Sequence, residues 1–223
     1  MSAPPASSFL TLAQAASDET VIQKSRFIGY ASPCASEEDA LSFLQSIRDR
    51  HRDARHACYA YVIGQNEGIM RYSDDGEPGG TAGLPIMNVL RGRHLVNCAV
   101  VVVRYFGGIL LGTGGLVRAY SEACRIAVQA AGIVRMEWTC FHLCEVPYSS
   151  WDTLQHAVKS LPVQLRDISF ETAVTFTLLV RQTDESRVLS ELQRVTARQL
   201  TAIPEEENFF LWPVPDSPAE TAL

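Results

Sequence analysis

The chain has 223 residues, 47% of them hydrophobic and 20% charged, with a formal net charge of −6. That content supports real cores and excludes a disordered chain, and the length suits one large domain or two small ones. No stretch approaches a transmembrane span, and the opening MSAPPASSFLTLAQAAS has no Lys or Arg before its weak apolar stretch, which argues against a secretory signal. Cys34, Cys58, Cys98, Cys124, Cys140 and Cys144 are scattered without a Cys-x-x-Cys pair, so they read as reduced, mostly buried thiols of a cytoplasmic protein.

Residues 1–16 read as a mobile lead-in and Thr20 to Ser32 as extended chain. Ser36 with Asp39 forms a capping-box variant before a helix whose buried face is Ala40, Phe43, Leu44 and Ile47. The run from Arg48 to Asp53 reads as a solvated helix end. A strand over Arg55–Ile63 puts Tyr59 and Tyr61 on one side. A turn at Glu67-Gly68 and a short strand over Ile69–Tyr72 lead to the loop Ser73–Gly83. A helix follows from near Leu84 to Leu90. Cys98–Val103 is apolar on both faces, with Cys98, Val100 and Val102 on one and Ala99, Val101 and Val103 on the other, as a central strand must be. A glycine-rich loop then precedes a helix from near Leu116, with Leu116, Tyr120, Ala123, Ala127 and Ala130 inward and Gly132 as its stop.

After Gly132 the pattern restarts. Strands over Glu137–Val146, Val163–Phe170, Thr172–Val180 and Asn208–Trp212 alternate with helices over Ser149–Leu161 and Asp184–Leu200. The order β-α-β-β-α-β is the ferredoxin-like pattern. The expected organisation is α+β, with a first domain over 17–135, a second over 136–213 and a flexible tail over 214–223. The charge balance changes at the same place: residues 1–135 carry 13 Lys/Arg against 12 Asp/Glu, and 136–223 carry 6 against 13.

The loop Gly107–Gly115 lacks the Gly-Lys-Ser/Thr ending of a Walker A loop, and Val117 stands where Gly-x-Gly-x-x-Gly needs its last glycine. What remains is a set of glycines permitting close backbone approach, ahead of a helix N-terminus whose free N–H groups favour an anion. The same glycines equally suit positive φ angles or tight packing. Asp74, Asp75 and Glu77 could hold Mg²⁺ against a phosphate, or serve ordinary turn chemistry neutralised by Arg71 or Arg104. No Gly-x-Ser-x-Gly elbow occurs. The strand-face sets His56 with Cys58, and Cys140 with His142 and Cys144, read as buried residues before they read as a nucleophile or a zinc site.

Lys24-Ser25-Arg26-Phe27-Ile28, Asp53-Ala54-Arg55-His56, Tyr72-Ser73-Asp74-Asp75-Gly76-Glu77-Pro78, Gly80-Thr81-Ala82-Gly83, Val103–Gly108 and Leu111–Tyr120 together resemble the motifs of the Impact family, in particular its bacterial branch. The resemblance implies an N-terminal domain with the fold of the second domain of the fifth small-subunit ribosomal protein, and a ferredoxin-like C-terminal domain. That pairing looks like the fourth and fifth domains of elongation factor G, which work on the ribosome. Eukaryotic relatives are linked to translational control through binding an activator of a translation-factor kinase; their extra N-terminal RWD domain is not expected here, so that kinase-regulatory role is not expected to carry over.

The resulting expectation is a non-enzymatic RNA- or ribosome-associated protein with no cofactor and no membrane partner. Its expected surface comprises Arg104, Gly107, Gly108, Gly112, Gly114, Gly115, Arg118 and Arg125. Two alternatives stand beside it: an enzyme on a phosphorylated small molecule with Asp74, Asp75 and Glu77 holding a metal, and a protein–protein module using the acidic C-terminal domain.

Overall fold

A computed structural model describes residues 8–65 and 68–212. The first seven residues, the turn residue Glu67 and the tail from residue 213 lie outside the described residues. In chain order the first unit contains β1 (Ser8–Leu12), β2 (Ala16–Ile22), β3 (Ser25–Pro33), α1 (Glu37–Arg50), β4 (His56–Ile63), β5 (Ile69–Ser73), α2 (Gly83–Gly92), β6 (Cys98–Tyr105) and α3 (Gly112–Ala131). The second contains β7 (Ile133–Val146), α4 (Tyr148–Val158), β8 (Val163–Phe170), β9 (Val174–Arg181), α5 (Glu185–Val195) and β10 (Thr201–Trp212). By contacts the division falls inside β7, between Arg135 and Met136, and Trp212 groups with the first unit.

The sheet of the first unit runs β2-β3-β6-β4-β5, antiparallel throughout. β6 is its middle strand and is buried on both faces. Cys98, Val100 and Val102 meet α2 and α3 through Ile86, Leu90, Ala119, Tyr120 and Ala123. Val101 and Val103 meet Leu44 and Ile47 of α1 on the other face, with Ala99 beside Ala40. The strict alternation along β6 thus feeds two cores separated by one sheet. α1 begins as its sequence requires: the Ser36 hydroxyl accepts from the Asp39 N–H at 3.1 Å while Asp39 accepts from the Ser36 N–H at 3.0 Å.

Four sequence expectations are corrected. The segment Thr20–Ser32 is a hairpin, turning at Gln23 and Lys24 with φ of 45° and 65°. No glycine or asparagine marks this turn, so the usual signal for a two-residue hairpin is missing. The lead-in holds strand β1, tied down by the Val96 N–H donating to the Leu10 carbonyl at 3.0 Å. α3 starts at Gly112, four residues before its first large apolar side chain, because glycines can be helical without announcing it; its inward series ends on Ala131, and Ala130 is exposed. α5 stops at Val195, where Ala197 and Arg198 turn with φ of 50° and 65°.

The second unit shows the sheet order β10-β7-β9-β8, the ferredoxin-like arrangement. Trp151 and Leu154 of α4 and Val188 and Leu192 of α5 share one core with Cys140, Cys144, Phe176 and Leu178. No helix among the described residues is long and apolar enough to cross a membrane.

Candidate functional site

The loop after β5 is built on three carboxylates, each occupied by donors of the protein. Asp74 stands nine residues ahead of the first residue of α2 and caps it: one oxygen accepts from the Ala82 and Gly83 N–H groups, both at 2.9 Å, and the other from Gly80 at 2.8 Å. The N-cap residue itself is Ala82, which has no side chain able to do this. Burial alone would raise the Asp74 carboxyl, but the three N–H bonds outweigh it and hold the group below its ordinary value. Asp75 accepts from Arg48 at 2.9 Å and from the Ala57 N–H at 2.7 Å. Buried Glu77 accepts from Arg104 at 2.7 Å and from the Tyr120 hydroxyl at 2.8 Å. The metal candidates are therefore staples of the loop, and no group of three metal-ligating side chains occurs among the described residues.

Glu77 also joins the two glycine loops, since Arg104 is the penultimate residue of β6 and Tyr120 lies on α3. Arg104, expected on the surface, is 8% exposed. The His56–Cys58 pair is likewise structural: His56 bonds the Asp75 carbonyl at 2.8 Å and the Cys58 thiol donates to the Asp74 carbonyl at 2.9 Å. Burial pushes that thiol up to about 12, so it is no nucleophile at neutral pH. In the second unit buried His142 bonds Glu185 at 2.9 Å, while burial pushes Cys140 and Cys144 up to about 12.

The glycines of the second loop divide by role. A Cβ on Gly107 would lie 2.0 Å from the Lys24 carbonyl, so that position must be glycine for the loop to pass the β2–β3 turn. Gly108 and Gly112 have φ of 84° and 68°. Gly115 packs on Leu111. Gly114 differs: it has no positive φ, and a Cβ there would meet only Arg118 Nη1, at 3.8 Å. Around it α3 begins without a side-chain cap. Ahead of it Phe106, Ile109 and Leu110 are exposed, Leu110 by 85%.

The arginines fall into two recesses. Arg118 and Arg125 line one of about 540 Å³ with Ser121, Glu122, Val117, Val89 and Ile22. There Arg125 grips Glu122 through both Nε and Nη2, whereas Arg118 makes no hydrogen bond or ion pair among the described residues. Arg104 lines the other, of about 410 Å³, with Asp53, Arg55, His56, Tyr105, Phe106 and Leu110.

A chain of hydrogen bonds backs this second cavity. The Tyr105 hydroxyl donates to Asp53 at 2.9 Å and contacts His51 Nδ1 at 2.8 Å, and His51 Nε2 contacts the Tyr30 hydroxyl at 2.6 Å. Asp53 only accepts, so Tyr105 spends its proton there and His51 Nδ1 must donate; Nε2 then accepts from Tyr30. His51 is held neutral, its pKa lowered first by burial and then by Arg50 and Arg26, against Asp53. The sequence pattern of Arg48–Asp53 reads as a solvated helix end, whereas His51 and Asp53 are tied into this chain.

An α+β protein with a double-glycine-loop domain and a ferredoxin-like domain is thus defined by its fold. Residues 23–128 match the Impact N-terminal domain and residues 144–197 a domain of unknown function, DUF1949. IMPACT family member YvyE of Bacillus subtilis is 36% identical over 204 residues, covering 92% of this chain and 94% of that protein. IMPACT family member YigZ of Escherichia coli is 50% identical over 110 residues, 48% of this chain and 54% of YigZ. The Protein IMPACT homolog of Saccharomyces cerevisiae is 30% identical over 118 residues, 52% of this chain and 46% of the yeast protein. A crystal structure of a hypothetical protein superposes with a TM-score of 0.58 at 30% identity, covering 90% of this chain and 98% of that one. The chain belongs to the IMPACT family.

Proposed function

We propose that this protein is a non-enzymatic RNA-binding factor acting in translation or its regulation, with the start of α3 as its contact surface for the RNA backbone. The observation that carries the reading is Gly114. The fold makes no demand for glycine there, since the backbone is helical and a Cβ would make only an ordinary contact with the end of Arg118. Glycine in a helix costs about 0.5–1 kcal/mol relative to alanine. A bare backbone at a helix start without a side-chain cap, next to Arg118, which is unpaired among the described residues, suits a phosphate approaching closely. The glycines at 107, 108, 112 and 115 shape that approach, and exposed Phe106 adds an aromatic surface of the kind that bases stack on. The net charge of −6 is compatible with this, because the local field around the arginines decides encounter with an anion.

Salt dependence tests it. Binding of a single-stranded RNA or of ribosomes should weaken with salt, and Arg118→Ala should flatten the log–log slope by about 0.7, the value of one lost phosphate contact. Arg125→Ala should do less, because Glu122 already competes for that guanidinium, and Glu122→Gln should strengthen binding. An Arg118→Ala/Arg125→Ala protein with unchanged affinity and slope would show that the surface is wrong. Absence of binding by the parent at low salt moves the function to a protein partner.

A further inference from the structure

The cavity beside Arg104 contains a group that folding alone leaves unexplained. Arg104 is 8% exposed, and its Nη1 is spent on Glu77. Its Nε is buried with no hydrogen-bond partner among the described residues. Buried donors are nearly always paired, and one left without an acceptor carries its full desolvation cost. The guanidinium sits between Phe27 and Phe106, 5.5 and 5.4 Å from the two ring centres. Phe27 belongs to the core, whereas Phe106 is 54% exposed, so the outer ring is the one able to shift without disturbing the fold.

Three kinds of group face this space. Phe106 and Leu110 offer an aromatic face and an apolar edge. Arg55, exposed and without an ion pair among the described residues, offers N–H donors. Asp53 and His56 offer acceptors. The Asp75 carbonyl can only accept, so His56 Nδ1 carries the proton facing it, and in the neutral ring Nε2, unpaired among the described residues, is an acceptor. A volume of about 410 Å³ is in the range of small-ligand sites. A bare anion needs neither the aromatic face nor the acceptors, and an apolar side chain needs no arginine. A nucleobase uses all three, stacking on a ring while donors and acceptors meet its edge.

We infer that this cavity binds one unstacked nucleotide, with Phe106 and Leu110 against the base and Arg55 and Arg104 as donors to its oxygens. The inference rests on the RNA reading above for one source of ligand, a residue within a single strand; a free nucleoside 5′-monophosphate is the other source.

The test uses the full chain, ¹⁵N-labelled, with AMP, CMP, GMP, UMP, ribose 5-phosphate, inorganic phosphate and a mixed-sequence single-stranded oligoribonucleotide as probes. A nucleotide or the oligonucleotide should shift the Arg104 Nε–H and Phe106 N–H signals saturably, while ribose 5-phosphate and phosphate do not. Phe106→Ala should weaken binding about 5- to 150-fold, the range for loss of one stacked base. Arg55→Gln should weaken it as well. Both side chains are exposed, and an unchanged melting temperature shows that both variants fold. Equal binding of ribose 5-phosphate, or no shift with any nucleotide or with the oligonucleotide, overturns the inference. Oligonucleotide binding that keeps full affinity in both variants also overturns it while leaving the RNA reading intact. Monophosphate binding without oligonucleotide binding supports the cavity and removes the RNA reading.

Discussion

Asp74 is one carboxylate that accepts three backbone N–H groups, from Gly80, Ala82 and Gly83. Asparagine cannot replace it, because one of its two terminal atoms becomes a donor facing another donor. Asp74→Asn should therefore cost about 1–3 kcal/mol at pH 7, measured by urea unfolding. The group's pKa is depressed on folding, so its contribution is fully present above the unfolded value of about 3.9 and is lost as pH falls through the folded one. The stability gap between parent and variant should accordingly close as the solution is acidified below pH of about 4. A gap that stays constant to lower pH would mean that the charge at Asp74 contributes nothing.

At the scale of the element, α3 carries two opposite uses of glycine contact. Gly29 of β3 lets the helix lie on the sheet: a Cβ there would be 2.3 Å from the Ala123 carbonyl oxygen and 2.8 Å from the Ala127 Cβ. Gly29→Ala should destabilise by about 1–3 kcal/mol, since backbone must move to admit the methyl. Gly114→Ala at the start of the same helix makes only an ordinary contact with the end of the Arg118 side chain and should instead stabilise by up to about 1 kcal/mol. The two melting temperatures should move in opposite directions, and the Gly114→Ala protein should bind RNA more weakly despite being more stable. Tighter or equal binding by that variant would leave Gly114 without the role assigned to it.

For the whole molecule, each unit has its own apolar core, with Leu154 fully buried in the second. Leu154→Ala should cost about 2–5 kcal/mol of local stability by cavity formation. Hydrogen exchange read by mass spectrometry should then show loss of protection in β7, α4, β8, β9 and α5, with β3, β6 and α3 unchanged. Equal loss of protection in β6 would mean that the two units unfold as one. The charge asymmetry, 13 basic against 12 acidic residues in 1–135 and 6 against 13 in 136–223, also belongs to this scale. It makes the first unit the less repulsive of the two toward an anion.

By itself the sequence determined β6, because an alternating apolar run buried on both faces has one place in a sheet. It determined the helix α1 through a reciprocal cap, and the β-α-β-β-α-β order of the second unit through periodicity. Motif blocks determined the family. Tertiary structure decided what the charged side chains do, because their partners lie far along the chain: Glu77 meets Arg104 and Tyr120, and Arg48 meets Asp75. Local spacing has no access to such pairs, so carboxylates that pattern alone left open as metal ligands became caps and staples, and Arg104 moved from surface to interior. The hairpin at Gln23-Lys24 was hidden for a related reason, since its left-handed residues are held by pairing along β2 and β3 rather than by their own preference. Gly107 and Gly114 look alike in the sequence; only the neighbour that each would strike, or fail to strike, tells the structural glycine from the one free to serve a ligand.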